Sequence, residues 1–218
     1  MNDDLTDDLT LFLDRFWISP YAFTCYVALK EKGVPFEIRE LSLGDGHQKS
    51  ADYASRSVTA RVPALWHGDF GLAESTAIVE YLDEVFPEPR LLPKDRRDRA
   101  RARQILSWIR SDLAALREER STTTMFYERA EKPLSEKGRA AADKLVRVAE
   151  TVVPQGRPTL AAEFSIADAD LSFMLHRLIL NGEAVPERLR AYAAAHWERP
   201  SIQAFVSHAR VPFVSYSY

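Results

Sequence analysis

The stretch Leu9–Gly33, LTLFLDRFWISPYAFTCYVALKEKG, decides the fold. It opens with a short apolar run from Leu9 to Leu13, bounded by Asp14, which reads as a buried strand. After a loop comes Ser19-Pro20. Proline is favoured at the first helical position, where a missing N–H costs nothing, and a serine just before it sits at the cap. Ala22, Cys25, Tyr26 and Leu29 then recur at helical spacing, and Gly33 stops the helix. The product is a strand, a loop and a hydroxyl at the positive end of a helix. Such an end carries unpaired N–H donors and favours an anion. Ser19 as a plain helix cap is the alternative that this stretch leaves open.

The surrounding chain narrows the class. Its 218 residues make one large domain or two small ones, and at 46% hydrophobic they can bury a core. A net charge of -3 gives no reason to expect nucleic acid or an anionic membrane as partner. No apolar run reaches membrane-spanning length. The start, MNDDLTDDLT, is acidic and lacks the basic and apolar regions of a signal peptide; residues 1–8 read as a loose tail. A single cysteine, Cys25, fits a reducing cytoplasm. It lies on the apolar helical face, where burial would make it inert. The sequence has no Cys-x-x-Cys pair, zinc spacing, P-loop or G-x-G-x-x-G, so no metal is expected.

Beyond Gly33, Phe36 to Leu41 alternates as a second strand, which would run parallel to the first across the helix. Residues 44–60 are polar and predict a loop with a short helix around Asp52–Arg56. His47, Gln48 and Lys49 lie in that loop, either as ligands or as solvated surface. Arg61-Val62-Pro63-Ala64-Leu65-Trp66 and Phe70-Gly71-Leu72 flank a Gly-Asp turn, a hairpin signal. Glu74-Ser75 then opens a helix with an Ala77, Ile78, Tyr81, Leu82, Val85 stripe. The order is β-α-β, loop, β-β-α.

Three prolines mark residues 83–95 as a linker. From Asp95 onward the chain is helical. Ala102, Ile105, Leu106, Ile109, Leu113 and Leu116 predict one long helix, preceded by an arginine cluster that reads as a solvated face or as dimer or ligand contacts. Residues 121–133 break the pattern. A helix with Ala141, Leu145, Val148 and Val152 follows. Ser165-Ile166-Ala167-Asp168 is a capping box before a helix that is apolar almost all round and so should be buried. Asp170 and His176 on it need partners. Two short helices, about Pro186 to Ala195 and Ser201 to Ala209, and an aromatic tail close the chain.

Ser19-Pro20-Tyr21, Arg61-Val62-Pro63-Ala64-Leu65 and Glu74-Ser75-Thr76-Ala77-Ile78, in this order and before an all-helical half, resemble the cytosolic glutathione transferases. The closest likeness is to bacterial members with a Ser-Pro-Tyr/Phe turn. The resemblance implies a thioredoxin-like α/β domain at residues 1–86 that binds glutathione, a linker at 87–95, and an all-α domain at 96–218 that contributes the electrophile site. It implies that Ser19 donates its hydroxyl to the glutathione sulfur. Val62, before a cis-Pro63, would offer backbone groups to the cysteinyl part. Glu74 and Ser75 would hold the γ-glutamyl end, the carboxylate suiting its ammonium and the helix start suiting its carboxylate. The glycine carboxylate would take a donor among His47, Gln48 and Lys49, and Tyr21 would adjoin the tripeptide.

The electrophile, a small hydrophobic compound or a peroxide, would sit between the domains. Its candidate walls are Phe16, Trp17 and Tyr21, with Trp108, Arg110, Met125 and Phe126; core packing is the alternative for each. A symmetric homodimer in the cytoplasm is expected, with glutathione as co-substrate. Two other readings share the scaffold: glutathione-dependent peroxide reduction, and a non-catalytic binding protein. The maleylacetoacetate isomerase type carries a Ser-Ser-Cys turn, which Trp17-Ile18-Ser19-Pro20 does not match.

Overall fold

The computed structural model describes residues 8–215. The expected N-terminal tail, Asp8 apart, and the last three residues of the aromatic tail lie outside them. The described residues form two compact units. One runs up to Leu91 and includes the segment from Ala204 on; the other is Leu92–Gln203.

The first unit is built on a four-stranded mixed sheet of order β2-β1-β3-β4: β1 Leu9–Asp14, β2 Glu37–Leu41, β3 Ala64–His67 and β4 Phe70–Ala73. β1 pairs with β2 in parallel, as a strand–helix–strand unit requires, and with β3 antiparallel. Alternation divides the faces. Leu9, Leu11 and Leu13 are buried on one face under helices α1 (Pro20–Lys32) and α3 (Ser75–Val85), which pack on each other. Phe12 and Ala64 point to the other face, where Tyr53 of α2 (Ala51–Arg56) and Trp66 join them. His47–Lys49 form a 3-10 turn before α2. α1 ends at Gly33, whose φ of 65° explains the glycine.

The proline-rich stretch expected as a linker is tied down at its start. The ammonium of Lys32, itself buried, donates to Asp83 Oδ1 (2.7 Å), Pro89 O (2.7 Å) and Phe86 O, and Leu91 N–H donates to Asp83 at 2.7 Å. The segment from Ala204 differs from the expected all-helical half. Phe205 packs its ring on Trp17, Phe23 and Tyr26 of the first unit.

The second unit is helical: α4 Arg96–Ser111, α5 Ala114–Glu119, α6 Thr123–Phe126, α7 Glu136–Val152, α8 Ile166–Ile179 and α9 Glu187–Trp197. Helix α10, Pro200–Val206, follows and ends in the first unit. The long helix expected to reach Leu116 breaks after Ser111. Leu113 adopts φ 62°, and Asp112 accepts the Trp108 indole N–H at 3.0 Å, so Leu113 and Leu116 belong to a new turn. In α7 the buried stripe is Gly138, Ala142, Leu145 and Ala149, one face round from the expected one. The reason is close approach. A Cβ on Gly138 would meet the Glu119 carboxylate at 2.6 Å, so the smallest residues face α5. Helix α8 is buried all round through Leu178, as its composition predicts.

Candidate active site

Strand register gathers the site. Asp14 pairs with Leu41, Phe12 with Ala64, and Ala64 with Ala73. The loop after β1, the polar loop after β2, residues 62–63 before β3 and residues 74–75 after β4 therefore all leave the same end of the sheet. These segments carry Ser19, His47–Lys49, Val62-Pro63 and Glu74-Ser75. Residues as far apart in sequence as Ser19 and Ser75 are thus brought together by the sheet alone. Loops at one end of an open α/β sheet are where such folds bind ligands.

Ser19 caps α1. Its Oγ accepts from Ala22 N–H at 3.2 Å, and among the described residues its hydroxyl proton has no acceptor. Pro20 holds the first helical position, and the first turn of α1 contains no acidic residue. The loop before it is fixed from below by Asp14, which is 1% exposed and whose carboxylate accepts from Ile18 N–H (3.0 Å) and Ser19 N–H (2.9 Å). Burial pushes the Asp14 carboxyl above its usual range, and those two donors pull against it. Trp17, at φ 52°, reverses the chain between them. For a bulky residue that conformation costs roughly 1–2 kcal/mol, so other contacts must hold it.

The other predicted groups fall as follows. Tyr21 is half-buried at the start of α1, and Cys25 is fully buried on that helix, its sulfur 3.9 Å from Ser75 O. The Val62-Pro63 bond is cis, with Pro63 buried and Val62 half-buried. Glu74 is exposed at φ 72°, and Ser75 is buried at the first position of α3. In the 3-10 turn His47 and Lys49 are exposed, while Gln48 turns back to donate to Leu43 O at 3.3 Å.

The candidate wall residues lie in two units. Phe16 and Trp17 are each 3% exposed. In the helical unit Met125 is buried, Phe126 meets the Phe173 ring at 6.0 Å, and Arg110 donates to Asp170 at 2.8 Å and to Leu106 O. The partners that Asp170 and His176 needed are therefore present: Arg110 for the first, Ser172 O (2.9 Å) and the stacked Trp197 ring (3.8 Å) for the second.

Two features lay beyond the sequence reading. One is Asp14, which reads only as the end of a strand. The other is the arm after α10, which meets the loop carrying Ser19 at a separation of 193 residues, too far for any local pattern to reveal. A hollow of about 850 Å³ lies at the opposite end of the sheet, between Pro35, Glu37, Arg39, Arg56, Trp66 and the Gly68 turn. None of the predicted glutathione residues lines it. It is an open polar trough where α2 leaves the sheet uncovered. Among the described residues no three metal-ligating side chains converge, and no helix is long and apolar enough to cross a membrane.

Residues 9–84 match the glutathione S-transferase N-terminal domain, and residues 95–210 match the glutathione S-transferase C-terminal domain. The chain belongs to the glutathione S-transferase family. The transferase is 30% identical over 207 residues to glutathione S-transferase Z1 of Arabidopsis thaliana, covering 88% of this chain and 90% of that one. Among solved structures it resembles a Burkholderia glutathione transferase homologue with bound glutathione, at 37% identity and a TM-score of 0.74 over 92% of this chain and 97% of that one. It also resembles rice GST1 in complex with glutathione, at 26% identity and a TM-score of 0.70 over 91% and 90%. The enzyme class, the two-part fold and its thioredoxin-like first unit follow from this membership.

Proposed function

We propose that the transferase binds glutathione at the Ser19 end of the sheet and activates its thiol for attack on small hydrophobic electrophiles. The observation that carries this reading is the Ser19 hydroxyl. It stands on a helix N-terminus with its proton uncommitted and with no carboxylate in the first turn to compete for the position. A thiol is mostly protonated at neutral pH. A hydrogen bond to a charged group contributes about 1.5–3 kcal/mol. The helix end adds about 0.3–1 kcal/mol. Together they suffice to lower a thiol pKa by about 1 to 3. The thiolate then forms the C–S bond, and the leaving group departs with its electron pair. Serine forms no disulfide and Cys25 is buried, so thiolate stabilisation is favoured over disulfide exchange.

In this reading Val62, beside cis-Pro63, and Tyr21 flank the cysteinyl part. Ser75 with the start of α3 takes the γ-glutamyl carboxylate, and Glu74 takes the ammonium. Exposure makes His47 and Lys49 the donors for the glycine carboxylate, since Gln48 is engaged with Leu43. Phe16, Trp17, Trp108, Arg110, Met125 and Phe126 shape the electrophile site, directly or through packing. The protein acts as a cytoplasmic homodimer. Binding of glutathione to the Burkholderia and rice proteins supports the ligand assignment. The test is Ser19→Ala: glutathione should still bind saturably at millimolar levels while conjugation of halogenated aromatics falls. Unchanged turnover would overturn the role of Ser19, and absent saturable binding would overturn the enzyme reading altogether. Faster turnover of hydroperoxides than of halogenated aromatics would transfer the same site to peroxide reduction.

A further inference from the structure

Trp17 is gripped from three sides. Its N–H donates to Asp14 O at 2.9 Å, and its indole N–H donates to Glu40 Oε1 at 2.7 Å. Its ring stacks on His208, centroids 3.7 Å apart and planes 15° from parallel. Its carbonyl accepts two bonds from Arg210, from Nε at 3.3 Å and from Nη2 at 3.2 Å. The same guanidinium binds Phe205 O (3.1 Å), Val206 O (2.9 Å) and His208 O (2.9 Å), the last carbonyls of α10 and its exit. Phe213, further along, meets the Phe16 ring at 5.1 Å.

We infer that Arg210, with the arm that carries it, is a positioning residue for Ser19: by holding the Trp17 carbonyl it fixes the turn that aims the hydroxyl. The inference rests on the proposed role of Ser19. The physical chain is short. A tryptophan at φ 52° relaxes toward ordinary backbone angles unless it is held. The peptide after Trp17 leads straight to Ile18 and Ser19, whose N–H groups must both reach the Asp14 carboxylate. Rotating that peptide therefore misdirects both amides and moves the Ser19 Oγ. A fork of two N–H donors on one carbonyl opposes this rotation better than a single donor does. His208 and Glu40 hold the indole and Asp14 O holds the Trp17 N–H, while Arg210 holds the carbonyl that leads on to Ile18 and Ser19.

The test compares the wild type, Ser19→Ala, Arg210→Met, Arg210→Lys and the double variant Ser19→Ala/Arg210→Met. It measures kcat, KM for glutathione, and the pKa of the bound thiol from thiolate absorbance. Arg210→Met should lower kcat about tenfold with KM changed less than twofold, and should raise the bound thiol pKa. Arg210→Lys, with one donor for the carbonyl, should recover part of both. In the Ser19→Ala background Arg210→Met should have no further effect on kcat. Equal loss from Arg210→Met with and without Ser19, or an unmoved thiol pKa, would overturn the inference while leaving the role of Ser19 intact. No effect of Ser19→Ala would instead sink the reading beneath it. Should Arg210→Met not fold, Glu40→Ala, an exposed change at the other end of the same indole, should give the same pattern at two- to threefold. An unaltered kcat there would count against the clamp.

Discussion

Two of the serines that stand at helix starts, Ser19 and Ser165, are used in opposite ways. Ser165, at the start of α8, is 1% exposed and closed by the carboxylate three residues on. Asp168 Oδ2 accepts from both its N–H and its hydroxyl at 2.9 Å. The other oxygen accepts from Leu160 N–H (2.7 Å) and the Tyr192 hydroxyl (3.0 Å), with His196 at 3.6 Å. Ser19, at the start of α1, has alanine at that third position. The nearby buried carboxylate, Asp14, takes the backbone N–H groups and leaves the hydroxyl alone. One cap is a finished internal network; the other keeps its proton for something outside the chain. The difference lies in where the acid stands: inside the first turn it consumes the cap, and before the loop it only orients it.

The comparison can be broken from either side. Asp168→Ala should have the largest effect on stability. It strands several buried donors, at least about 3 kcal/mol of unfolding free energy, and should be read by urea denaturation. A loss under 1 kcal/mol would mean that the network is not what holds α8. Ser19→Ala should show the reverse balance. Its barrier should rise by about 1.5–3 kcal/mol while stability falls by about 1 kcal/mol or less, as for an ordinary cap. A variant that unfolds as readily as Asp168→Ala would make Ser19 a structural serine like Ser165.

The helical unit should also be the acid-sensitive one. Burial lowers His176 to about 4, and burial lowers His196 as well. Both are therefore favoured neutral in the fold. Their contribution is present above the unfolded value of about 6.5 and is lost as pH falls toward about 4. For His176 that is about 2 kcal/mol by pH 5. Urea midpoints at pH 7 and pH 5 measure it, and His176→Gln should flatten the difference. The smallest effect is at Glu74. Its φ of 72° suits glycine, so Glu74→Gly should raise stability by about 1 kcal/mol while weakening glutathione binding. Stronger binding would remove Glu74 from the site.

Local chemistry made much of this readable. Ser19-Pro20 and Gly33 bracket α1, Pro63 and Glu74 flank the hairpin, and Ser165 with Asp168 announces α8. Each signal acts within a few residues. The break at Leu113 was hidden because its leucines keep the helical period on both sides; what ends the helix is the side-chain bonding of Asp112. The buried face of α7 departs from its apolar stripe because glycine and alanine stand there for size, which a hydrophobic stripe does not register. The contact of Arg210 with Trp17 has no local trace at all.

The central claim is that Ser19 lends its proton to a sulfur anion. Thiolate absorbance of bound glutathione, titrated against pH in the wild type and in Ser19→Ala, tests it most directly. The account predicts a midpoint below the ordinary thiol value of about 8.5 in the wild type, rising by about 1 or more when the hydroxyl is removed. Coincident titration curves for the two proteins would contradict it.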